Sequence, residues 1–342
     1  MRRITVIPGD GIGGEVTKEA LETLNVFGLS LEFDILGCIN ADTFLNTGIA
    51  MSEADFGRIR ASSSALFGAI GDPRVRSPEY ARSVLLRLRQ ELELYVNERP
   101  ARLLDHRLSP LRDDLSRRID CVIVRENTEG LYAGIGGSLR ENTPQEMTVD
   151  ADVSTYLGVS RIMEYAFSIA RRGVCMVDKA NAVRFGGKLW QRCWAEATSQ
   201  HPEVPGSHLY VDVAAMKLVS NPSEFDVIVT NNSYGDILSD ITAEVAGGLG
   251  AAASANLNPD TGFGLFEPVH GSAPDIAGTG VANPIGAILS SALMLRQLGY
   301  ATEADAVRKA VESAVAARNC TPDLGGRLST KQAGAAVRAA LV

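Results

Sequence analysis

The chain has 342 residues, 45% hydrophobic and 22% charged, with 33 Lys and Arg against 41 Asp and Glu for a formal net charge of −8. That length suggests two domains, or one large α/β unit, and the balance suits a globular protein whose core needs no disulfide or structural metal. They exclude a phosphate-backbone binder, which carries a basic surplus on one face, so nucleic acid is not an expected partner.

Short β-rich runs alternate with helical patterns along the chain. Residues 4–7 read as a strand, 15–27 as a helix, and 31–36 and 65–69 as further strands. Residues 79–94 carry Leu85, Leu88 and Leu92 at helical spacing and read as one amphipathic helix. Four more strands are expected at 121–125, 174–178, 209–213 and 225–230, the last three each followed by a helical segment. This alternation predicts an α/β protein with a parallel or mixed sheet. Residues 246–255 are nearly all Gly, Ala and Ser, and 256–264 read as turn-rich. Asn283 reads as an N-cap and Pro284 as the first residue of a helix running to Gly299, with a final helix at 303–318. The longest uncharged stretch, 276–295, contains Gly278, Gly280, Pro284 and Gly286, so it reads as a loop and a buried helix, and no membrane partner is expected.

The five cysteines, Cys38, Cys121, Cys175, Cys193 and Cys320, form no C-x-x-C pair and read as reduced thiols of a cytoplasmic protein. The N-terminus enters a Gly-rich loop too early for a signal peptide. No internal repeat or low-complexity linker is present, which favours interleaved domains over domains in series.

Gly9, Gly11 and Gly14 satisfy G-x-G-x-x-G between a strand and a helix, with Glu32 and Asp34 near the place of a ribose-binding acid. Pro8 and Asp10 fit that fingerprint poorly, because an acid at a phosphate cradle repels the pyrophosphate. A second signal is Asp212, at the end of the strand 209–213, with Asp236 and Asp240 four apart on one helix face. Three carboxylates without histidine suit Mg²⁺ or Mn²⁺, although the helical pair could equally favour a helix N-terminus. A third is Arg89, Arg99 and Arg125 on separate elements, whose forked guanidinium groups would hold a small polycarboxylate if the fold gathers them. Lys179, in Asp178-Lys179-Ala180-Asn181, stands at a strand end and is either a proton-transfer group or solvated.

Five ordered motifs then bring a resemblance into view: Pro8-Gly9-Asp10-Gly11-Ile12-Gly13, residues 125–132, Asp178-Lys179-Ala180-Asn181, residues 235–240, and residues 267–278 with Glu267-Pro268-Val269-His270-Gly271-Ser272. The chain resembles the β-decarboxylating dehydrogenases, which act on isopropylmalate, isocitrate, homoisocitrate and tartrate. The resemblance implies a two-domain α/β fold with a mixed sheet, not a Rossmann fold. Residues 1–97 and 249–342 would form the cofactor-binding domain, and 98–248 a second domain with the dimer interface and an arm. It also implies a homodimer with shared sites, in which Lys179 and Asp212 complete a neighbour's site while Tyr132, Asp236 and Asp240 belong to the other subunit.

By the same resemblance the cofactor lies on His270, Gly271, Ser272, Ala273, Asp275, Ile276 and Asn283. The Asp275 charge would repel a 2′-phosphate, which makes NAD the expected cofactor. Asp212, Asp236 and Asp240 would hold the divalent metal. Lys179, through Asp212 or a water, would assist removal of the hydroxyl proton, Tyr132 would protonate the enol carbon, and Arg89, Arg99 and Arg125 would bind the carboxylates. Ser83, Leu85 and Leu86 would meet the third substituent. The leucine pair matches the isopropylmalate pattern and Ser83 the isocitrate pattern. The chain departs from the family at Arg82, where isopropylmalate enzymes carry an acid just before the leucine pair, and at Glu98, which replaces the apolar residue usual before Arg99-Pro100. Residues 126–132 are closer to the isocitrate and homoisocitrate style, whereas 67–74 and 133–147 resemble actinobacterial isopropylmalate enzymes. The expected activity is therefore NAD-dependent oxidative decarboxylation of a 3-substituted malate, 3-isopropylmalate first, as in leucine biosynthesis. Isocitrate, homoisocitrate, tartrate or another 3-substituted malate are the alternatives. Tyr132, Lys179 and the three acids argue against a non-catalytic paralogue.

Overall fold

The computed structural model describes residues 1–77, 79–112 and 118–341. Its strands are β1 (Arg2–Gly9), β2 (Leu31–Ile35), β3 (Ser64–Ala69), β4 (Val96–Arg102), β5 (Asp120–Glu126), β6 (Gly136–Leu139), β7 (Met147–Asp150), β8 (Val174–Asp178), β9 (Gly206–Tyr210), β10 (Val227–Thr230), β11 (Ala253–Asn258) and β12 (Phe263–Pro268). Ten of them form one sheet in the order β2-β1-β3-β12-β11-β4-β5-β10-β8-β9, and β6 and β7 form a separate hairpin. The wing β2-β1-β3-β12 is parallel, as is β5-β10-β8-β9; the antiparallel pairings β12–β11, β11–β4 and β4–β5 join them. The result is the mixed α/β sheet expected. All residues of β3 and β10 are buried, the pattern of strands covered on both faces.

Helices Gly13–Asn25, Ile285–Gln297 and Ala301–Ala316 cover one face of the first wing, and Tyr156–Ile169 and Arg184–Gln200 continue that core along the second. Val211–Ser220 and Asn232–Val245 cover the opposite face of the second wing around Ile123, Val177, Ile228 and Leu238. Cys121, Cys175, Cys193 and Cys320 are buried free thiols, and Cys38 is exposed. Among the described residues no helix is long and apolar enough to cross a membrane.

Several expectations are corrected. The turn-rich stretch 256–264 does hold a turn at 259–262, but its ends are strand, the close of β11 and the start of β12, with every residue of β11 buried. The segment 79–94 is not one regular helix: an α-turn at Glu79–Ala81 and another at Arg87–Glu91 flank a π-helical segment, Arg82–Leu86. The strand ending at Asp212 stops at Tyr210, so Asp212 lies in the first turn of helix Val211–Ser220. The helix after Asn283 begins at Ile285, whose N–H donates to Asn283 Oδ1 at 2.9 Å. A further helix, Thr330–Ala339, opens with a capping box between Ser329 and Gln332 that the sequence reading passed over.

The Gly-rich turn is not a phosphate cradle. The buried Asp10 carboxylate accepts the N–H of Ala41 at 2.7 Å, the N–H of Gly71 at 2.8 Å and the Tyr80 hydroxyl at 2.7 Å. Gly11 has φ +54° and a Cβ there would lie 1.9 Å from Ser272 O, while the Ile12 N–H donates to that same oxygen at 2.8 Å. These glycines let the turn pack on the loop after β12.

Candidate active site

Side chains alternate across a strand, so directly paired residues of β4, β5, β11 and β12 share a face. Asn97 pairs with Arg125 and Asn256, Arg99 with Ile123, and Ser254 with Glu267, which gathers these groups on one face. Arg89 enters from the segment Arg87–Glu91 and donates to Glu267 Oε1 at 3.0 Å, both residues being buried. Asn256 Nδ2 reaches the same oxygen at 2.9 Å, and Asn97 and Asn127 donate in turn to Asn256 Oδ1 at 3.1 and 2.9 Å. The three arginines thus converge upon one face, and a buried amide network holds Glu267 beneath Arg89.

Helix Asn232–Val245, capped by Asn231, brings the acids to this face. Gly235 permits its approach: a Cβ there would lie 2.6 Å from the Arg125 side chain. Arg125, only 1% exposed, donates to Asp236 Oδ1 and, through Nε, to Asn232 Oδ1 at 2.8 Å. Arg99 lies 3.4 Å from Asp236 and 3.7 Å from Asp240, and donates to Ser239 Oγ at 2.7 Å. Tyr132 donates its hydroxyl to Asp236 Oδ2 at 2.7 Å. No acid lies in the first turn of this helix, so the pair Asp236 and Asp240 does not serve its N-terminus.

Burial pushes the Asp236 carboxyl up, but Arg125, the Tyr132 hydroxyl and Arg99 overcome it and hold the group below the usual carboxylate range. Asp240 goes the other way, raised by burial and only partly offset by Arg99. Tyr132 is raised by burial and by the hydrogen bond to Asp236. Arg125 is pushed down to about 10 by burial and by Arg99 and Arg89.

Lys179 follows β8 and its ammonium pairs with Asp212, whose carboxyl that hydrogen bond holds low. Behind them the buried Asp178 contacts His208 Nε2 at 2.9 Å and accepts from Gln191 at 2.7 Å. Neither Lys179 nor Asp212 pairs with the Arg–Asp cluster. Among the described residues, moreover, no three acidic, histidine or cysteine side chains of the chain form a metal-holding group. A single chain therefore brings together Asp236 and Asp240 but not Asp212. Met216, Val219 and Ile237, on the helices that carry Asp212 and Asp236, are exposed apolar residues.

Of the three residues expected to meet a substituent, Ser83 turns its hydroxyl to Tyr80 O at 2.9 Å, Leu85 packs partly into the core, and Leu86 is half-buried. All three lie on the π-helical segment, an irregularity frequent at functional sites.

Four of the cofactor candidates, His270, Ala273, Ile276 and Asn283, line a separate cavity of about 330 Å³ together with residues that include Ile12 and Asp323. Gly271, Ser272 and Asp275 lie on the same loop outside that lining, Asp275 exposed. Burial lowers the His270 pKa, and its Nε2 is buried with no hydrogen-bond partner among the described residues. An apolar cavity with one orphaned ring nitrogen and the Asn283 amide fits a flat heteroaromatic base. The carboxylates fit a hard cation in the same sense, offering oxygen donors only.

The sequence reading missed the groups that hold these residues: Asn97, Asn127, Ser254, Asn256 and Glu267 behind the arginines, Asn232 and Ser239 beside them, and Asp323 in the cavity. Glu267, Asn127 and Ser239 did carry a signal, each lying inside one of the five motifs.

This mixed-sheet fold, with carboxylates facing converging arginines, defines a decarboxylating dehydrogenase. The chain belongs to the isocitrate/isopropylmalate dehydrogenase family, whose pattern matches residues 3–337. It is 45% identical to a 3-isopropylmalate dehydrogenase of Leifsonia xyli over 328 residues, 93% of this chain and 91% of that one. It is 44% identical to another of Thermobifida fusca, covering 97% and 95%. Among solved structures, an isocitrate dehydrogenase from Methylococcus capsulatus aligns with a TM-score of 0.90 at 35% identity, covering 100% and 99% of the two chains. The apo β-decarboxylating dehydrogenase from Thermococcus kodakarensis aligns with a TM-score of 0.82 at 39% identity, covering 100% and 96%.

Proposed function

We propose that the protein oxidises and decarboxylates 3-isopropylmalate with NAD, as a step of leucine biosynthesis in the cytoplasm. The observation that carries the reading is the convergence of Arg89, Arg99 and Arg125 opposite Tyr132, Asp236 and Asp240. Such an arrangement suits a small dicarboxylate with a 2-hydroxyl group. Identity of 44–45% to 3-isopropylmalate dehydrogenases supports the isopropyl substituent, and Leu85 and Leu86 offer it an apolar contact.

In this reading the arginines fix both carboxylates and so orient the C2 hydroxyl. Lys179, acting through its partner Asp212, assists removal of the hydroxyl proton, and Tyr132, oriented by Asp236, returns a proton to the carbon that has lost CO₂. Mg²⁺ or Mn²⁺, when bound by Asp236, Asp240 and the Asp212 of a second copy, supplies Lewis-acid polarisation of the C2 oxygen. NAD, when bound on His270, Gly271, Ser272, Ala273, Asp275, Ile276 and Asn283, supplies the hydride acceptor, and the Asp275 charge disfavours NADP.

The same reading makes the protein a homodimer. Lys179 and Asp212 stand apart from the cluster they are to serve, and the exposed Met216, Val219 and Ile237 form an apolar face of the kind that interfaces cover. We divide the chain into residues 1–97 with 249–342, and 98–248; β2, β1, β3, β12 and β11 then come from the first part and β5, β10, β8 and β9 from the second.

The test is turnover of a panel of 3-isopropylmalate, isocitrate, homoisocitrate and tartrate with Mg²⁺ or Mn²⁺ and either NAD or NADP. The expected result is a kcat/KM for 3-isopropylmalate at least ~10-fold above the others, within reach of an apolar pocket. Higher efficiency on isocitrate, which Ser83 and the guanidinium of Arg82 would favour, contradicts the substrate, and equal efficiency with NADP contradicts the cofactor.

A further inference from the structure

Glu98 and Arg99 are neighbours on β4 and point to opposite faces of the sheet. Arg99 joins the candidate active site. Glu98 shares its face with Ala255 and Val124, its register partners, and lines a cavity of about 580 Å³ on the far side. That volume is in the range of small-molecule sites. The sheet contributes small or apolar residues, Ala253, Ala255, Leu257 and Phe266, and helices Tyr156–Ile169, Ile285–Gln297 and Ala301–Ala316 supply the remaining walls.

The four arginines on these walls are all paired, sharing Asp120, Asp305 and Glu312, whereas, among the described residues, Glu98 is not. Arg102 pairs with Glu312 at 3.2 Å, Arg171 with Asp120 at 3.2 Å, Arg296 with Asp305 at 3.2 Å and Arg308 with Glu312 at 2.8 Å. Glu98 accepts the Tyr165 hydroxyl at 2.7 Å but has no ion pair among the described residues. Burial raises its pKa, with the Tyr165 hydrogen bond and the more distant Arg296 only partly opposing. The Glu98 carboxyl, half-buried and facing the cavity with no ion-pair partner among the described residues, offers a cation entering the cavity an acceptor.

We propose that this cavity is a second ligand site, separate from the dehydrogenase site, for a small organic cation: a primary ammonium seated on Glu98 and Tyr165, with its aliphatic or aromatic body on Leu257, Phe266, Leu289 and Leu293. The occupant bridges the two wings of the sheet, because β11 and β12 lie on one side of the cavity and β4 and β5 on the other. The proposal does not depend on which hydroxy acid the enzyme oxidises.

The test is calorimetric titration of n-hexylammonium into the full-length protein, with hexanoate and 1-hexanol as controls of equal chain length. It is repeated in Glu98→Gln, which keeps an acceptor for Tyr165 and whose folding is checked by thermal unfolding, and in Asp240→Asn, which alters the other acidic site. The expected result is saturable one-to-one binding to the wild type and to Asp240→Asn, with affinity lower by about tenfold or more in Glu98→Gln. Hexanoate should not bind. Equal affinity in Glu98→Gln, loss confined to Asp240→Asn, binding of hexanoate as strong as that of the ammonium, or no binding up to the ~10 mM limit of weak ligands each overturns the proposal.

Discussion

Tyr132 is fixed at both ends by one ion pair: its hydroxyl donates to Asp236 Oδ2 at 2.7 Å, and the Arg125 that holds Oδ1 lies 5.1 Å from its ring centroid. The phenol is therefore oriented, and burial and Asp236 keep it protonated, as a proton donor must be. Tyr132→Phe removes the donor while leaving the ring on Arg125. Turnover should fall about 10²–10⁴-fold, the usual worth of a positioned acid, with the substrate KM little changed. Rapid-mixing kinetics should show the first NADH formed at near wild-type rate and the later steps slowed. Wild-type steady-state product formation would remove Tyr132 from the reaction.

The separation of Lys179 and Asp212 from the arginine cluster gives a second prediction. Lys179→Ala and Tyr132→Phe chains should each be nearly inactive alone. Refolded together, they should regain activity, because a mixed dimer holds one site with both residues intact. If mixing restores nothing, each chain carries its own complete site.

Glu267 is the counter-charge of the buried Arg89, and it also receives Asn256. Glu267→Ala strands a buried guanidinium and should destabilise the protein by about 3–5 kcal/mol in urea unfolding. Activity measured well below the unfolding midpoint should show a raised substrate KM, since Arg89 loses its support. A variant with unchanged midpoint and KM would place the orientation of Arg89 elsewhere.

Asp226 binds no substrate in this account, yet it should set acid stability. Burial pushes its carboxyl up, but the N–H groups of Arg172, Arg171 (2.7 Å) and Gly173 (3.3 Å), with the Arg171 guanidinium, more than compensate and hold it low. A folded-state pKa below the unfolded one contributes stability above the unfolded value, about pH 4, that is lost as pH falls through the folded value. Asp226→Asn keeps one acceptor and sets an amide against the remaining donors, costing about 1–3 kcal/mol at neutral pH. Its unfolding free energy should depend less on pH in the acid range. A variant with the wild-type acid slope would exclude Asp226 as its source.

Much of the fold was legible because residue types follow burial. The runs of β-branched residues in β8 and β10 read correctly as strands, since both faces of these strands are covered. β11 did not, because Ser254, Asn256 and Asn258 give it the composition of a turn. Those polar groups are paired inside the protein, Ser254 and Asn256 with Asn97 and Asn256 also with Asn127 and Glu267, and local sequence holds no trace of partners that distant. The arginines were recognisable as residues suited to carboxylates, but Arg99 and Arg125 are brought together by the antiparallel register of β4 and β5, and Arg89 joins them through Glu267 of β12. Asp212 was recognised while its element was mistaken, since helix Val211–Ser220 begins immediately after β9 and no glycine or proline marks the boundary. Leucine spacing likewise masked the π-helical segment that carries Ser83, Leu85 and Leu86.

The central claim is oxidation coupled to decarboxylation, and its most direct measurement is stoichiometry. Purified protein supplied with 3-isopropylmalate, NAD and Mg²⁺ or Mn²⁺ should form NADH and release CO₂ in equal amounts, with neither formed when the metal is chelated. NADH without CO₂, or no turnover of 3-isopropylmalate under these conditions, would contradict the account.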